Sequence, residues 1–201
     1  MLGRYLRNTL QVFYHCLDYR CIHSIPPNYI TFFSLLPAGA AAILIIKKFF
    51  AWAIIAIIIS SICDIVDGAV ARLASRGSKL GDYLDAMVDR YREAFFYTGF
   101  ALSGHSLEAF FALSGALIVS FAKARTAMCV AIDDHDWPAI GDMADRIILL
   151  ILGLAIASTK PVWCKQQTVI SVTLLIIGVV TYIGSIQRIL YAKKLLLKVP
   201  G

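Results

Sequence analysis

Charged side chains are scarce in this 201-residue chain: Asp, Glu, Lys and Arg make up 16% of it, against 59% apolar residues. That balance, with a mean hydropathy of +0.75, excludes an ordinary soluble domain and makes nucleic acid an unsuitable partner. The five cysteines, Cys16, Cys21, Cys63, Cys129 and Cys164, are odd in number and form no CxxC pair, which excludes a disulfide framework and a thiolate zinc site. The four histidines, at 15, 23, 105 and 135, share no metal or nucleophile-base spacing. There is no internal repeat, low-complexity tract or Gly/Ser linker, and hence no sign of a second soluble domain. The first residues lack the basic start, apolar core and small-residue cleavage site of a signal peptide, so none is expected.

What is present is a series of long apolar runs. A membrane-spanning helix needs roughly 20 such residues, and six candidates fit, at about 29–46, 50–73, 80–103, 107–130, 143–159 and 168–191. The expectation is an all-α integral membrane protein of six transmembrane helices. Before them, "MLGRYLRNTLQVFYHCLDY" places Leu2, Leu6, Leu10, Phe13 and Leu17 on one side of a helix and Arg4, Arg7, Gln11, His15 and Asp18 on the other. That pattern predicts an amphipathic juxtamembrane helix on the membrane surface. The expected organisation is 1–25 as this surface helix and 26–201 as one six-helix domain. Pro26 and Pro27 stop the first helix, and Asn28 is placed to cap the next. With the N-terminus inside, 13 of the 19 Lys and Arg fall on the cytoplasmic side, the orientation the positive-inside rule favours. The net charge of +6 then makes a basic cytoplasmic face, suited to anionic lipid or phosphorylated solutes, in the cell membrane.

Against this apolar background, the second and third runs carry carboxylates. Asp64, Asp67 and Ala71 are spaced i, i+3, i+7, with Gly68 directly after Asp67, while Gly81, Asp85 and Asp89 are spaced by four. Each set makes one stripe on its helix. The two helices are joined by the short "ASRGSK", so their charged halves are expected to face each other. Four ionised carboxylates in a low-dielectric setting cost several kcal/mol each unless a cation sits among them. Arg72 lies a turn toward the loop and Arg90 faces about 100° away from Asp89, which leaves a metal as the expected counter-ion. Hard oxygen ligands without His or Cys point to Mg²⁺ or Mn²⁺. Two such ions about 4 Å apart assist displacement at phosphorus. Gly68, Ala71 and Gly81 clear a helix face for a bulky group, and Arg72 can fork onto a phosphate. The alternative for the same aspartates is an ion or proton path in a coupled transporter. A second acidic stretch, "IDDHDWP", lacks the glycine and distal glutamate of a calcium loop and reads as a solvated turn.

The run Asp64-x2-Asp67-Gly68-x2-Ala71-Arg72-x8-Gly81-x3-Asp85-x3-Asp89 resembles the signature of the CDP-alcohol phosphotransferases at all eight fixed positions. The surface helix, six spans and "PNYIT" start of the first span extend the resemblance along the chain. It implies transfer of a lipid phosphate from a CDP-activated lipid to an alcohol, with release of CMP. It further implies that Asp64, Asp67, Asp85 and Asp89 hold two metal ions and that Asp89 is the base for the attacking hydroxyl. Thr31, Asp64, Gly68, Ala71, Arg72 and Gly81 would surround the CDP-lipid, in a protein that is a homodimer within the family's pattern.

For the acceptor, "SFAKAR" supplies Ser120, Lys123 and Arg125, and Arg146 and Arg188 stand at the ends of the fifth and sixth runs nearest the same membrane face. Convergent cations suit a dianionic acceptor. "SFAKAR" and "GSIQRI" resemble segments of the family's inositol-phosphate branch, which implies that these residues grip inositol 1-phosphate. Met143 stands where that branch commonly has an arginine, and "RYREAFF" replaces its Arg-x-Ser-Asp-Ala run after Asp89; glycerol 3-phosphate is the alternative acceptor.

Overall fold

A computed structural model of the chain describes residues 27–73, 78–130, 137–138, 140–159 and 163–197. The expected surface helix at 1–25, most of the loop after the second run and the acidic turn at 131–136 lie outside the described residues. Among the described residues every regular element is a helix: α1 (Pro27–Phe33), α2 (Leu35–Ile46), α3 (Phe50–Leu73), α4 (Lys79–Leu102), α5 (Ser106–Ala127), α6 (Met143–Ser158) and α7 (Trp163–Leu196). Four stretches among the described residues are long and apolar enough to cross a membrane: Tyr29–Ile46, Phe50–Gly68, Ser106–Ala127 and Lys165–Leu196. The other two expected spans form helices of a different character. α4 carries Lys79, Asp82, Asp85, Asp89, Arg90, Arg92 and Glu93 in its 24 residues. The 16 residues of α6 reach only about 24 Å at 1.5 Å per residue, short of a typical hydrocarbon core of roughly 30 Å.

The first run is not one continuous helix. It breaks at Ser34, between α1 and α2, and the cause is Pro37: it lacks the N–H that would bond the Phe33 carbonyl, and its ring crowds that carbonyl. Ser34 closes the gap locally, with its hydroxyl donating to the Thr31 carbonyl at 2.6 Å. Its own carbonyl accepts from the Ser60 hydroxyl of α3 at 2.9 Å, both groups buried. Asn28 is the second residue of α1 rather than its cap, because Pro27, with φ preset for a helix and no N–H to satisfy, opens the first turn. At the other end, Phe49 N–H bonds Leu44 C=O and Lys48 N–H bonds Ile45 C=O, each at 2.9 Å. This is a Schellman closure with Lys48, at φ 65°, in the left-handed position that glycine usually fills.

The helices fall into two compact units, residues 1–104 and 105–201. In the first, α1 and α2 pack against both α3 and α4. α2 does so through a face of small residues, Ala38, Ala41 and Ala42, which lets backbones approach. α4 comes so near that a Cβ on Gly99 would stand 2.9 Å from Ala42 Cα and O. α3 and α4, in contrast, do not pack closely on one another. The short connection led us to expect their charged halves face to face, and the carboxylates of Asp64, Asp67 and Asp85 do converge there; the backbones of the two helices stand apart, with the first run as their common support.

In the second unit α7 is the common support for α5 and α6. Phe111 of α5 stacks on Tyr182 with ring centroids 4.9 Å apart, and Gly115, Gly153 and Gly178 sit where a Cβ would collide with Thr181, Thr173 and Phe111. The segment before α6 is pressed onto α7 as well, with Gly184 seated on the Ile140 carbonyl. Helices and outward faces together expose large apolar residues such as Trp52, Phe110, Phe121 and Ile186, as a lipid-facing surface requires.

Candidate active site

The gap between α3 and α4 is where the carboxylates meet. Carboxylate oxygens of Asp64, Asp67 and Asp85 all lie within 4.8 Å of one another. The i, i+3 step turns Asp64 and Asp67 to one side of α3, and the placement of α4 on the first run brings Asp85 opposite them. Asp67 is the innermost, 3% exposed, and neither of its oxygens has a well-formed hydrogen bond. The Thr31 side chain of α1 lies beside it as a donor, in looser geometry. Thr31 is thus brought to the carboxylates by the same α1 contacts that hold the two helices apart. Gly81 stands in the first turn of α4, its N–H donating to the capping Ser78 hydroxyl at 3.0 Å. Gly68, Ala71 and Arg72 occupy the last turns of α3.

Asp89 is held differently. Arg92, 0% exposed, lies with Nη1 2.5 Å from Asp64 Oδ1 and 3.4 Å from Asp89 Oδ1, so one guanidinium nitrogen bridges the two helices. The neighbouring Arg90 pairs with buried Glu93 at 3.1 Å and reaches Asp89 Oδ2 only at 3.7 Å. Arg72 and Arg90 alone were weighed as nearby cations in the sequence; Arg92 joins the cluster and Arg90 reaches its edge, and the i, i+3 relation of Asp89 and Arg92 on one helix face was the signal that identifies it. Glu93 was missed for the same reason.

The donor set fits a hard divalent cation. Three carboxylates from two helices converge, one with both oxygens buried and without well-formed hydrogen bonds, where orphaned anionic oxygens are costly. Oxygens around one Mg²⁺ ion stand about 3–4.2 Å apart, within reach of three carboxylates that lie no more than 4.8 Å from one another. Asp64, Asp67 and Asp85 are the residues that would hold it. Four aspartates and Glu93 against Arg90 and Arg92 leave a formal deficit of three positive charges.

The expected acceptor residues all belong to the second unit. Ser120 turns its hydroxyl to the Ala116 carbonyl at 3.0 Å. Lys123 is half-buried and Arg125 exposed near the end of α5, with Arg125 Nη1 3.7 Å from Met128 Sδ. Arg146 and Arg188 are buried, 1% and 2% exposed. Arg188 donates from Nε to Pro138 O at 3.1 Å, from Nη1 to Val119 O at 2.8 Å and from Nη2 to Asp142 Oδ1 at 3.0 Å. Arg146 donates to Gly141 O. The segment before α6 is packed against helices, and its carbonyls need donors that water does not supply; the two arginines supply them.

Helices fit to cross a membrane, with a cluster of carboxylates that could hold a metal ion, define a membrane protein with a carboxylate site. Residues 24–184 match the sequence model of the CDP-alcohol phosphatidyltransferases. The chain belongs to that family: it is a transferase of phospholipid biosynthesis that passes the phosphate of a CDP-lipid to an alcohol. It is 28% identical over 170 residues to the archaetidylinositol phosphate synthase of Methanothermobacter thermautotrophicus, covering 84% of this chain and 83% of that one. It is 27% identical over 169 residues to the phosphatidylinositol phosphate synthase of Streptomyces avermitilis, covering 78% and 67%. The phosphatidylinositol phosphate synthase of Mycobacterium tuberculosis with CDP-DAG bound superposes with TM-score 0.71 at 20% identity, covering 93% and 91%. The same protein in complex with manganese and citrate gives 0.69 at 20% identity, covering 98% and 89%. These structural likenesses establish a shared fold.

Proposed function

We propose that this protein transfers the lipid phosphate of a CDP-activated lipid to a hydroxyl of inositol 1-phosphate and releases CMP, in a reaction dependent on Mg²⁺ or Mn²⁺. The observation that carries the reading is the convergence of Asp64, Asp67 and Asp85 within 4.8 Å beside Asp89, in the spacing the family shares. Bound there, two divalent ions would neutralise charge on the diphosphate as the bond to CMP breaks. Asp64, Asp67, Asp85 and Asp89 would hold them, Asp89 from the edge of the cluster. Thr31, Gly68, Ala71, Arg72 and Gly81 bind the CDP moiety, the glycines and alanine leaving room along the helix backbones. Asp89 takes the proton of the attacking hydroxyl, whose oxygen bonds to the lipid-side phosphorus as the phosphorus–oxygen bond to CMP breaks. Ser120, Lys123, Arg125, Arg146 and Arg188 bind the acceptor phosphate. Lys123 and Arg125 are the more accessible of these cations, whereas Arg188 has three of an arginine's five N–H donors engaged and contributes what remains.

The support for an inositol phosphate acceptor is the "SFAKAR" segment together with the names of the relatives. A six-span domain over 26–201 with its site on the cytoplasmic face of the cell membrane follows from the positive-inside count, and a homodimer from family resemblance. The test is CMP release by purified protein in detergent, with a divalent cation, a diacyl or an archaeal ether CDP-lipid, and one acceptor at a time. CMP with inositol 1-phosphate alone is the expected result. CMP with glycerol 3-phosphate alone would overturn the acceptor, and no CMP with any combination would return the aspartates to the transporter reading.

A further inference from the structure

We infer that Arg92 is a positioning residue of the carboxylate cluster: a fixed internal cation that yokes Asp64 on α3 to Asp89 on α4 and takes one unit of the charge that divalent ions would otherwise supply. The inference rests on the proposed reading of the site as metal-dependent, and it concerns a residue outside the eight-position signature.

Three observations carry it. First, Arg92 Nη1 approaches Oδ1 of both Asp64 and Asp89, at 2.5 and 3.4 Å, although the two helices that bear them do not pack closely on each other. A charge–charge bridge spans the gap that backbone packing leaves open. Second, Arg92 is fully buried, and none of its guanidinium nitrogens makes a hydrogen bond of good geometry. Its place is therefore fixed by ionic attraction inside a low-dielectric setting, where such attraction is strong and short-ranged geometry matters less. Third, Arg90 lies nearer Glu93, at 3.1 Å, than Asp89, at 3.7 Å, so Arg92, at 3.4 Å, is the nearer of the two arginines to Asp89.

The consequence is an asymmetric cluster. Asp67 and Asp85 converge with Asp64 in the triad suited to a cation. Asp89 also faces Arg92, which orients the carboxylate that takes the hydroxyl proton and offsets part of its charge. Arg92 also repels a divalent ion entering beside it. Removing its charge makes the cluster more attractive to cations and, at the same time, leaves Asp89 unplaced. A residue that merely supported the fold would weaken both properties together.

The test measures Mn²⁺ binding to the detergent-purified, substrate-free protein by electron paramagnetic resonance, alongside steady-state kinetics, for wild type, Arg92→Met, Arg92→Lys and Asp67→Asn. Arg92→Met is expected to bind Mn²⁺ at least about tenfold more tightly than wild type, to lower kcat at least about a hundredfold with little change in KM for the CDP-lipid, and to lose thermal stability without metal but regain it with Mn²⁺. Arg92→Lys, which keeps the charge, is expected to hold the Mn²⁺ Kd within about threefold of wild type and to recover at least about tenfold of the lost kcat. Unchanged or weaker Mn²⁺ binding by Arg92→Met overturns the inference. Should that variant not fold even with Mn²⁺, Arg92→Lys decides alone: a Kd shifted by more than about tenfold, or kcat at background, overturns it. Wild type that binds no more Mn²⁺ than Asp67→Asn would instead overturn the metal-dependent reading itself.

Discussion

Gly39 and Gly99 both sit in helices of the first unit, and replacing each with alanine should move stability in opposite directions. In α2, a Cβ on Gly39 meets nothing within 4 Å. Gly39→Ala therefore gains the helix propensity of alanine, about 0.5–1 kcal/mol, with no packing cost. On α4, a Cβ at Gly99 would stand 2.9 Å from both Ala42 Cα and Ala42 O, roughly 0.5 Å or more inside ordinary van der Waals contact. The atoms it meets are backbone, so no side chain can rotate away and one helix must back off. Overpacking of this kind costs about 1–3 kcal/mol; set against the same propensity gain, Gly99→Ala should lose about 1–2 kcal/mol net. Because membrane proteins often unfold irreversibly, the comparison is of apparent Tm in one detergent at one scan rate. Wild type should fall between the two variants. A Gly99→Ala protein as stable as Gly39→Ala would refute the close crossing of α2 and α4 on which the placement of Asp85 and Asp89 depends.

Lys48→Gly should stabilise the protein by about 0.5–1 kcal/mol, since Lys48 at φ 65° occupies a left-handed position that costs an ordinary residue strain; a loss of apparent Tm would count against the Schellman closure. Asp89→Asn should abolish turnover while CDP-lipid binding stays measurable by calorimetry, and near-normal turnover would remove Asp89 from the role of base. Lys123→Ala and Arg125→Ala should raise KM for the acceptor at least about tenfold more than KM for the CDP-lipid. Equal effects on both substrates would remove them from acceptor binding.

The helix boundaries were legible because the chain's apolar runs are long and end at sharp breaks: the expected 50–73 and 80–103 became Phe50–Leu73 and Lys79–Leu102. The convergence of Asp64, Asp67 and Asp85 was legible because helical spacing is local and the turn between the two helices is short. The interruption at Ser34 was legible in principle, since Pro37 stands four residues after Phe33, but a hydropathy window averages over a single proline. What periodicity cannot supply is which helices support which. α3 and α4 are neighbours in sequence, yet both lean on α1 and α2, and the width of the gap between them depends on Ala38, Ala41, Ala42 and Gly99, residues that carry no chemical signal of their own.

The arginines show the same limit more sharply. Read along the chain, Arg92, Arg146 and Arg188 are cations near the ends or middles of apolar runs, and their cost in a membrane setting argues for a position at the surface or a ligand of opposite charge. The fold resolves that cost internally: Arg92 among aspartates, Arg188 on two backbone carbonyls and Asp142, Arg146 on the Gly141 carbonyl. A buried guanidinium has five donors to satisfy, and it can meet backbone and ligand together. Arg188 brings the Val119 carbonyl of α5, next to Ser120, into register with the segment that leads into Arg146. The same contacts that satisfy it thus fix the spacing of the residues proposed to bind the acceptor, and its shape is as much required there as its charge.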